Sequence, residues 1–442
     1  MKKFSCFFLF LFPILLIGNM LSIPKEINYN FVVPDDFSSI QNAIGYSFDG
    51  YVILVRPGIY SENIDFEGKN ITVASFYLFE KDEKIIEETV LQSTNGESVV
   101  SFRNKEKASA KLIGFTIKNG RGNSGSFDRF LTEEIAPNFS QLPYFSSQVH
   151  KWGGGIFCLY ANPTLRDLKI EENTADYGGG IFLFSSSTKM KNILFRQNQA
   201  TEDGGGLLAY FSNPSLEDVV FANNEAEKGG GAAFVYSSSP RFVRTVFHRN
   251  NAARKGGAIY SFLNCGFSLK NCLLIRNYAK YGGGIYLNNS DPQIRNVTFF
   301  GNTGGIYCDN DSNPFLENSV LWENKPNEII FAPMFEKNSV SIRFSDIHKG
   351  EAGIGNRFSG VLNWEKGNIE FYPFFRDSEN NDFTLIAGSP CINSGNPDLE
   401  FNDKDRTRND MGAFGGISGN LSLWENGLWY EKWINYETKT EK

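Results

Sequence analysis

Seven asparagines, Asn173, Asn198, Asn224, Asn250, Asn277, Asn302 and Asn324, follow one another at intervals of 25, 26, 26, 27, 25 and 22 residues. Each carries the same companions. Three residues earlier stands Ile170, Phe195, Phe221, Phe247, Leu274, Phe299 or Leu321, and eight earlier Leu165, Met190, Leu216, Phe242, Leu269, Ile294 or Leu316. A further column, five earlier, runs from Leu168 and Ile193 to Val297. Ten earlier, proline recurs at Pro163, Pro214, Pro240, Pro292 and Pro314. Columns two residues apart are strand alternation rather than a helical stripe. A unit this short cannot bury its own apolar face, so it must stack on its neighbours. Each repeat is therefore one coil of a parallel β-solenoid, rising about 4.8 Å per coil. Stacked asparagines form an amide ladder at one corner. Glycines such as Gly282–Gly284 serve the other corner, where positive φ or close backbone approach is needed.

The pattern extends in both directions. "YVILV", "NITVAS", "SVVSF" and "KLIGFTIKNG" read as earlier coils; "SVSIRFSDI", "GNIEF" and "DFTLIAG" read as later ones. The fold class is thus all-β, a right-handed parallel β-helix of about 11–12 coils spanning residues 51–416. Residues 23–50 precede it, and there Phe37, Ile40, Ala43 and Ile44 predict a short amphipathic capping helix behind Asp36 or Ser38. Such a helix covers the apolar end of the stack and blocks edge pairing. Two stretches fall outside the repeat: an insertion at 120–152 and an aromatic tail at 417–442.

The chain opens "MKKFSCFFLFLFPILLIGNMLS", two lysines before an apolar stretch too short to span a bilayer and broken by Pro13, which reads as a signal peptide over residues 1–22. This implies a secreted, cell-surface or periplasmic protein without a transmembrane segment once the signal is removed. With 43 Lys+Arg against 50 Asp+Glu the net charge is -7, which argues against nucleic acid as a partner. Cys158, Cys265, Cys272, Cys308 and Cys391 are odd in number, lack metal-ligand spacing, and read mostly as small buried hydrophobes.

"FSSIQNAIGYSFDGYVILVRPGIYSENIDFEGKNITVAS" (37–75) resembles the opening of right-handed parallel β-helix proteins of the pectin-lyase-like superfold. The "GGGI" and "FxxN" pairs resemble the repeats of polymorphic outer-membrane proteins. "GNIEFYPFFRDSENNDFTLIAGSPCINSGNP" with "DRTRNDMGAFGG" is similar to the last coils of secreted bacterial β-helix repeat proteins. These resemblances cover roughly 35–416 and imply fold and export, not activity. The polymorphic proteins end in an outer-membrane barrel, and nothing after Gly416 has the length of one. The Asp-Phe-Ile-Phe-Gly segment of pectin methylesterases and the Gly-His-Gly motif of polygalacturonases have no counterpart. The histidines His150, His248 and His348 are scattered, and His248 reads as a surface residue.

Chemistry could still reside in stacked columns. Six before each Asn stand Asp167, Asn192, Asp218, Arg244, Asn271, Asn296 and Asn318. β-Helix lyases hold calcium on outward carboxylates and use an arginine as base, so Asp167, Asp218 and Arg244 are the candidate catalytic residues, with calcium as the cofactor of that reading and none otherwise. The plainer reading is a polar strand face with a cross-coil ion pair. A second candidate is aromatic. Phe157, Phe182, Leu208, Ala233, Tyr260, Tyr286 and Tyr307, followed by Leu159, Phe184, Tyr210, Val235 and Phe262, read as an outward face. Phe182, Phe184, Tyr210, Tyr260, Phe262 and Tyr286 would then bind sugar rings or a partner protein, unless the insertion or the tail covers them. "NDKDRTRNDMG" (402–412) reads as a salt-bridged closing coil rather than a calcium loop. Two functions follow: a non-catalytic rod binding a polysaccharide or a surface protein along one face, or a polysaccharide lyase.

Overall fold

Each coil is built from three short strands that meet the same strands of the coils above and below in parallel register. The computed structural model describes residues 28–130, 148–333 and 337–419. The longest strands, eight residues each, are Thr164–Glu171, Lys189–Arg196, Ser215–Ala222, Arg241–His248, Ser268–Ile275 and Gln293–Phe300. They belong to an 18-stranded sheet, here the long-strand sheet. A second sheet of 11 strands follows the glycine corners, and a third of 7 strands follows the asparagine corners. The result is a right-handed parallel β-helix of about twelve turns.

The core lies inside this triangular tube. Leu165, Leu168 and Ile170 with their counterparts in every coil are fully buried there. Equivalent rings stack directly: Phe195 on Phe221 at 4.5 Å and Phe221 on Phe247 at 5.2 Å, their planes nearly parallel. Inward positions at 165, 168 and 170 would break strict alternation if the strand were regular. The intervening residue resolves this, because Asp167, Asn192, Asp218, Arg244, Asn271, Asn296 and Asn318 all have φ between 47° and 56°. One left-handed residue per long strand resets the phase, so both flanking segments aim their apolar side chains inward. Asparagine and aspartate tolerate that conformation better than most residues.

The asparagine ladder is continuous. Asn173, Asn198, Asn224, Asn250, Asn277 and Asn302 each donate Nδ2 to the next Oδ1, at 2.7–3.0 Å. The same Oδ1 also accepts the preceding asparagine's backbone N–H, as at Asn224. At the last rung Asn324 donates Nδ2 to Glu328 at 2.5 Å. At the opposite corner Gly204 has φ +75°, and a Cβ on Gly205 would lie 2.3 Å from the Glu225 carbonyl. A serine ladder at the third corner has Ser186 N–H donating to Ser212 Oγ and Ser212 N–H to Ser238 Oγ.

Four features differ from the sequence reading. The helix Ile40–Gly45 forms and buries Ile40, Ala43 and Ile44, but its cap is Ser39, which accepts from Asn42 N–H. Asp36 accepts from Val32 N–H instead. Parallel pairing stops at Gly360–Trp364 and a bridge between Asp346 and Ile369, not at 416. "DFTLIAG" supplies an antiparallel partner for Phe375–Asp377 rather than a coil, because Phe375 and Phe383 pack outside the tube on Phe300. From there the chain runs back along the outer face of the long-strand sheet, with Cys391, Met411 and Ala413 joining Val246 and Leu273 in one apolar cluster. His248 is fully buried, not at the surface. Its column is Ala222, His248, Ile275 and Phe300, all buried, and burial together with Arg249 and Arg276 holds its imidazole well below the ordinary histidine range. The 402–412 segment is closed by backbone contacts, since Asp403 accepts from Asp410 and Gly416 N–H while Arg408 donates to the Gly395 carbonyl. The proposed signal peptide (1–22), the tail from 420 on and the middle of the insertion (131–147) lie outside the described residues.

Candidate functional site

The left-handed bend turns one side chain per coil outward, so Asp167, Asn192, Asp218 and Arg244 do line up on successive coils. Their hydrogen bonds leave little for chemistry. Arg244 donates Nε to Asp218 Oδ1 at 2.6 Å and Nη2 to Asp218 Oδ2 at 3.1 Å and to Glu217 Oε1 at 2.5 Å. Lys191 reaches Glu217 at 2.9 Å and Asp218 at 3.7 Å. Asp167, 2 % exposed, accepts from Arg166 Nε at 2.8 Å and Asn192 Nδ2 at 3.0 Å. Burial opposes the effect, but the hydrogen bonds Arg244 donates to Asp218 and Glu217 raise its pKa further above the ordinary value. A base needs the reverse. A calcium ion does not fit these residues either, since both oxygens of Asp218 face a guanidinium and those of Asp167 face Arg166 and Asn192. Among the described residues no group of three His, Cys, Asp or Glu side chains could hold a metal ion.

The rest of the column has a different task. Asn271 donates Nδ2 to the carbonyls of Ala413 and Gly415 at 2.9 and 2.7 Å. Asn296 Nδ2 lies within 3.0 Å of Asn409 Oδ1 and the Asp410 carbonyl, and Asn318 Oδ1 accepts from Asn396 N–H at 2.7 Å. These amides fasten the returning C-terminal segment to the coils.

The aromatic face of the second sheet exists and is covered. Phe182, Phe184 and Tyr210 are fully buried, and Tyr260 and Tyr286 are 6 % and 3 % exposed; only Phe262 is half-buried. The insertion supplies part of the cover. It leaves and returns as an antiparallel pair, Asn123–Ser126 with Val149–Trp152, and places Phe127 5.2 Å from Tyr210 and Phe130 5.8 Å from Phe182. Trp152 stacks on Tyr177 at 4.6 Å and donates Nε1 to the Gly125 carbonyl. Ala233 and Val235 do not belong to this face. The register pairs Leu208 with Phe234 and Tyr210 with Tyr236; the glycine run 229–231 starts one residue early, with Gly229 paired to Asp203 and Lys255 ahead of the corner, so counting from it lands one residue short. Ala233 and Val235 point into the core.

An open groove of about 480 Å³ lies beside the bend, on the first half of the long strands. Its floor and walls include Thr164, Lys189, Ser215 and Arg241, with Arg244 at one side and Ser418 of the C-terminal segment at its edge. Sequence reasoning missed this surface, whose column, nine before each asparagine, runs Thr164, Lys189, Ser215, Arg241 and Ser268 before it ends in Gln293 and Phe315.

A family model described as the right handed beta helix region matches residues 136–274 and, overlapping, 208–371. No curated protein matches the sequence. Among solved structures, pectate lyase Pel9A is 12% identical with a TM-score of 0.49, over 88% of this chain and 97% of that one. The catalytic domain of a GH87 alpha-1,3-glucanase is 12% identical with a TM-score of 0.38, over 84% and 70%. Pectin methylesterase PemA from Erwinia chrysanthemi is 12% identical with a TM-score of 0.28, over 74% and 81%.

Proposed function

Because this chain belongs to the right-handed β-helix family, we propose that it is a non-catalytic scaffold at the cell surface or outside the cell, binding a glycan or a partner protein along one face of its rod. The reading rests on the Arg244–Asp218 clasp: the residues best placed for lyase chemistry neutralise one another. A lyase would need carboxylates free for a cation and an arginine able to release its proton. Here the charges act as cross-coil fasteners on a surface whose apolar faces are already occupied by the chain itself. The opening segment over 1–22, read as a signal peptide, supports export.

The test is direct. Purified protein is incubated with calcium and a panel of acidic and neutral polysaccharides, and both new chain ends and retention on each polymer are measured. Retention on one polymer without new ends supports the scaffold. New ends that disappear in Asp218→Ala and Arg244→Ala would replace it with a lyase.

A further inference from the structure

Register places one outward side chain per coil in a row along the rod that runs Val52, Thr72, Lys111, Thr164, Lys189, Ser215, Arg241, Ser268, Gln293 and Phe315. Hydroxyl and cation alternate over the seven positions from Thr72 to Ser268, and Val52 at one end and Gln293 and Phe315 at the other bound the alternation. Lys111, Lys189, Ser215 and Arg241 are exposed, and Thr72, Thr164 and Ser268 half-buried. Its middle four members, Thr164, Lys189, Ser215 and Arg241, line the groove that Ser418 also borders.

The neighbouring row shows what a purely structural solution looks like. There Lys191 pairs with Glu217, and Arg295 with Glu317 at 3.2 Å. Carboxylates stacked between cations neutralise them across coils and stabilise the sheet. The alternating row has no carboxylate, and none of Lys111, Lys189 and Arg241 forms a salt bridge among the described residues. Its positive charge is reinforced from the side: Lys270 is held below the usual lysine range by partial burial and by Arg241, Arg295 and Arg244 around it. On a chain of net charge -7 this is a local excess of cations aligned at a fixed spacing.

Two coils rise about 10 Å, so the cations repeat at roughly the length of a disaccharide. We propose that this row binds a linear anionic polysaccharide carrying one negative charge per disaccharide, laid parallel to the rod axis, with Lys111, Lys189 and Arg241 on successive charges. Thr164, Ser215 and Ser268 then hydrogen-bond the hydroxyls of the intervening neutral sugars. The inference rests on the glycan half of the function proposed above and names its face and ligand class. Duplex nucleic acid fits the row poorly, since its charges fall about every 1.7 Å, far closer than cations spaced two coils apart.

The probes are hyaluronan, with one carboxylate per disaccharide, polygalacturonate, with one per sugar, neutral dextran and duplex DNA, each measured against the full chain by calorimetry at low and moderate salt. The expected result is salt-sensitive binding of hyaluronan in preference to the other three. Lys189→Ser with Arg241→Ser should weaken it about tenfold, two solvent-exposed ion pairs' worth, with thermal unfolding unchanged. Lys280→Ser, an exposed cation on the third sheet, should not weaken it. Ser215→Lys, which places a charge on every coil from Lys189 to Arg241, should move the preference toward polygalacturonate. Undiminished hyaluronan binding by the double variant would overturn the assignment of the row. Binding of dextran alone would overturn this inference and leave a glycan-binding scaffold. Preference for DNA would overturn the ligand class. Binding of none of the four polymers would overturn both this row and the glycan half of the function.

Discussion

Replacing Asn224 with alanine tests whether the ladder holds the rod together. Its Oδ1 accepts from Asn198 N–H at 3.1 Å and Asn198 Nδ2 at 2.9 Å, while its Nδ2 donates to the Phe195 carbonyl and Asn250 Oδ1, both at 3.0 Å. All four bonds are buried. At a net value near 1 kcal/mol each, with the Asn198 N–H left buried and unpaired, the loss is on the order of 4 kcal/mol. Gln199→Ala on the exposed face of the same coil should change stability by less than about 0.5 kcal/mol. The assay is denaturant unfolding followed by far-UV circular dichroism. Asn224→Asp sharpens the test, because it keeps the acceptor and turns the donor into an oxygen facing two other oxygens. Its buried carboxyl would bind a proton more tightly folded than unfolded, so its stability should be greatest below about pH 4 and fall as pH rises above the unfolded carboxyl's pKa. A loss below about 1 kcal/mol for Asn224→Ala, or an Asn224→Asp variant as stable as wild type at pH 7, would refute the ladder's role.

Asp218→Ala leaves Arg244, whose side chain is 10% exposed, with Glu217 as its one carboxylate partner among the described residues, and should cost roughly 2–3 kcal/mol, more than replacing both Asp218 and Arg244 by Leu and Met; a double-mutant cycle of unfolding free energies measures this. Burial pushes the Asp346 carboxyl up to about 7, so the folded protein retains a proton the unfolded chain releases, and stability falls as pH climbs from about 4 to 7. Asp346→Asn should flatten that slope, as pH-dependent unfolding curves will show. The five described cysteines are unpaired and buried, and burial pushes Cys272 up to about 12, so the native protein should resist thiol reagents until denatured and its melting temperature should ignore reductant. Asn296→Ala, by freeing the 409–412 backbone, should speed proteolytic cutting of the C-terminal segment several-fold while leaving the coils intact on a gel.

The architecture was readable because a solenoid writes the same solution in every coil. The asparagine ladder, the inward columns and the approximate number of turns all follow from spacing. Errors arose where the repeat met something outside itself. The glycine run 229–231 begins one residue ahead of the corner and displaced the aromatic column by one residue, and a one-residue slip exchanges inside for outside. His248 sits on an outward column, yet that column is covered, and cover by distant chain leaves no local signature. "DFTLIAG" has strand composition whether it closes a coil or pairs outside the tube. The Asp167–Asp218–Arg244 column resembled a catalytic cluster because a left-handed bend selects Asn and Asp for conformational reasons, and these are also the residues of metal and acid–base chemistry.

That bend explains which surface remains open. It divides each long strand in two. Beyond it, the outward column of Val220, Val246 and Leu273 is apolar and lies under Met411, Ala413 and Cys391 of the returning segment. The amides of Asn271, Asn296 and Asn318, presented by the bend itself, fasten that segment in place. Before the bend the outward residues are Lys189, Ser215 and Arg241, and the described C-terminal segment reaches only to Ser418 at their edge. The aromatic face, the more obvious binding surface by composition, is equally occupied, by Phe127 and Phe130 over Tyr210 and Phe182. Apolar surface on a rod is buried wherever chain exists to cover it, since each Å² removed from water stabilises by about 25 cal/mol. A cationic, hydroxyl-bearing row offers no such gain and stays solvated, so under the proposal made above the face left for an external ligand is the polar one, which would recognise it by charge spacing rather than by stacking on rings.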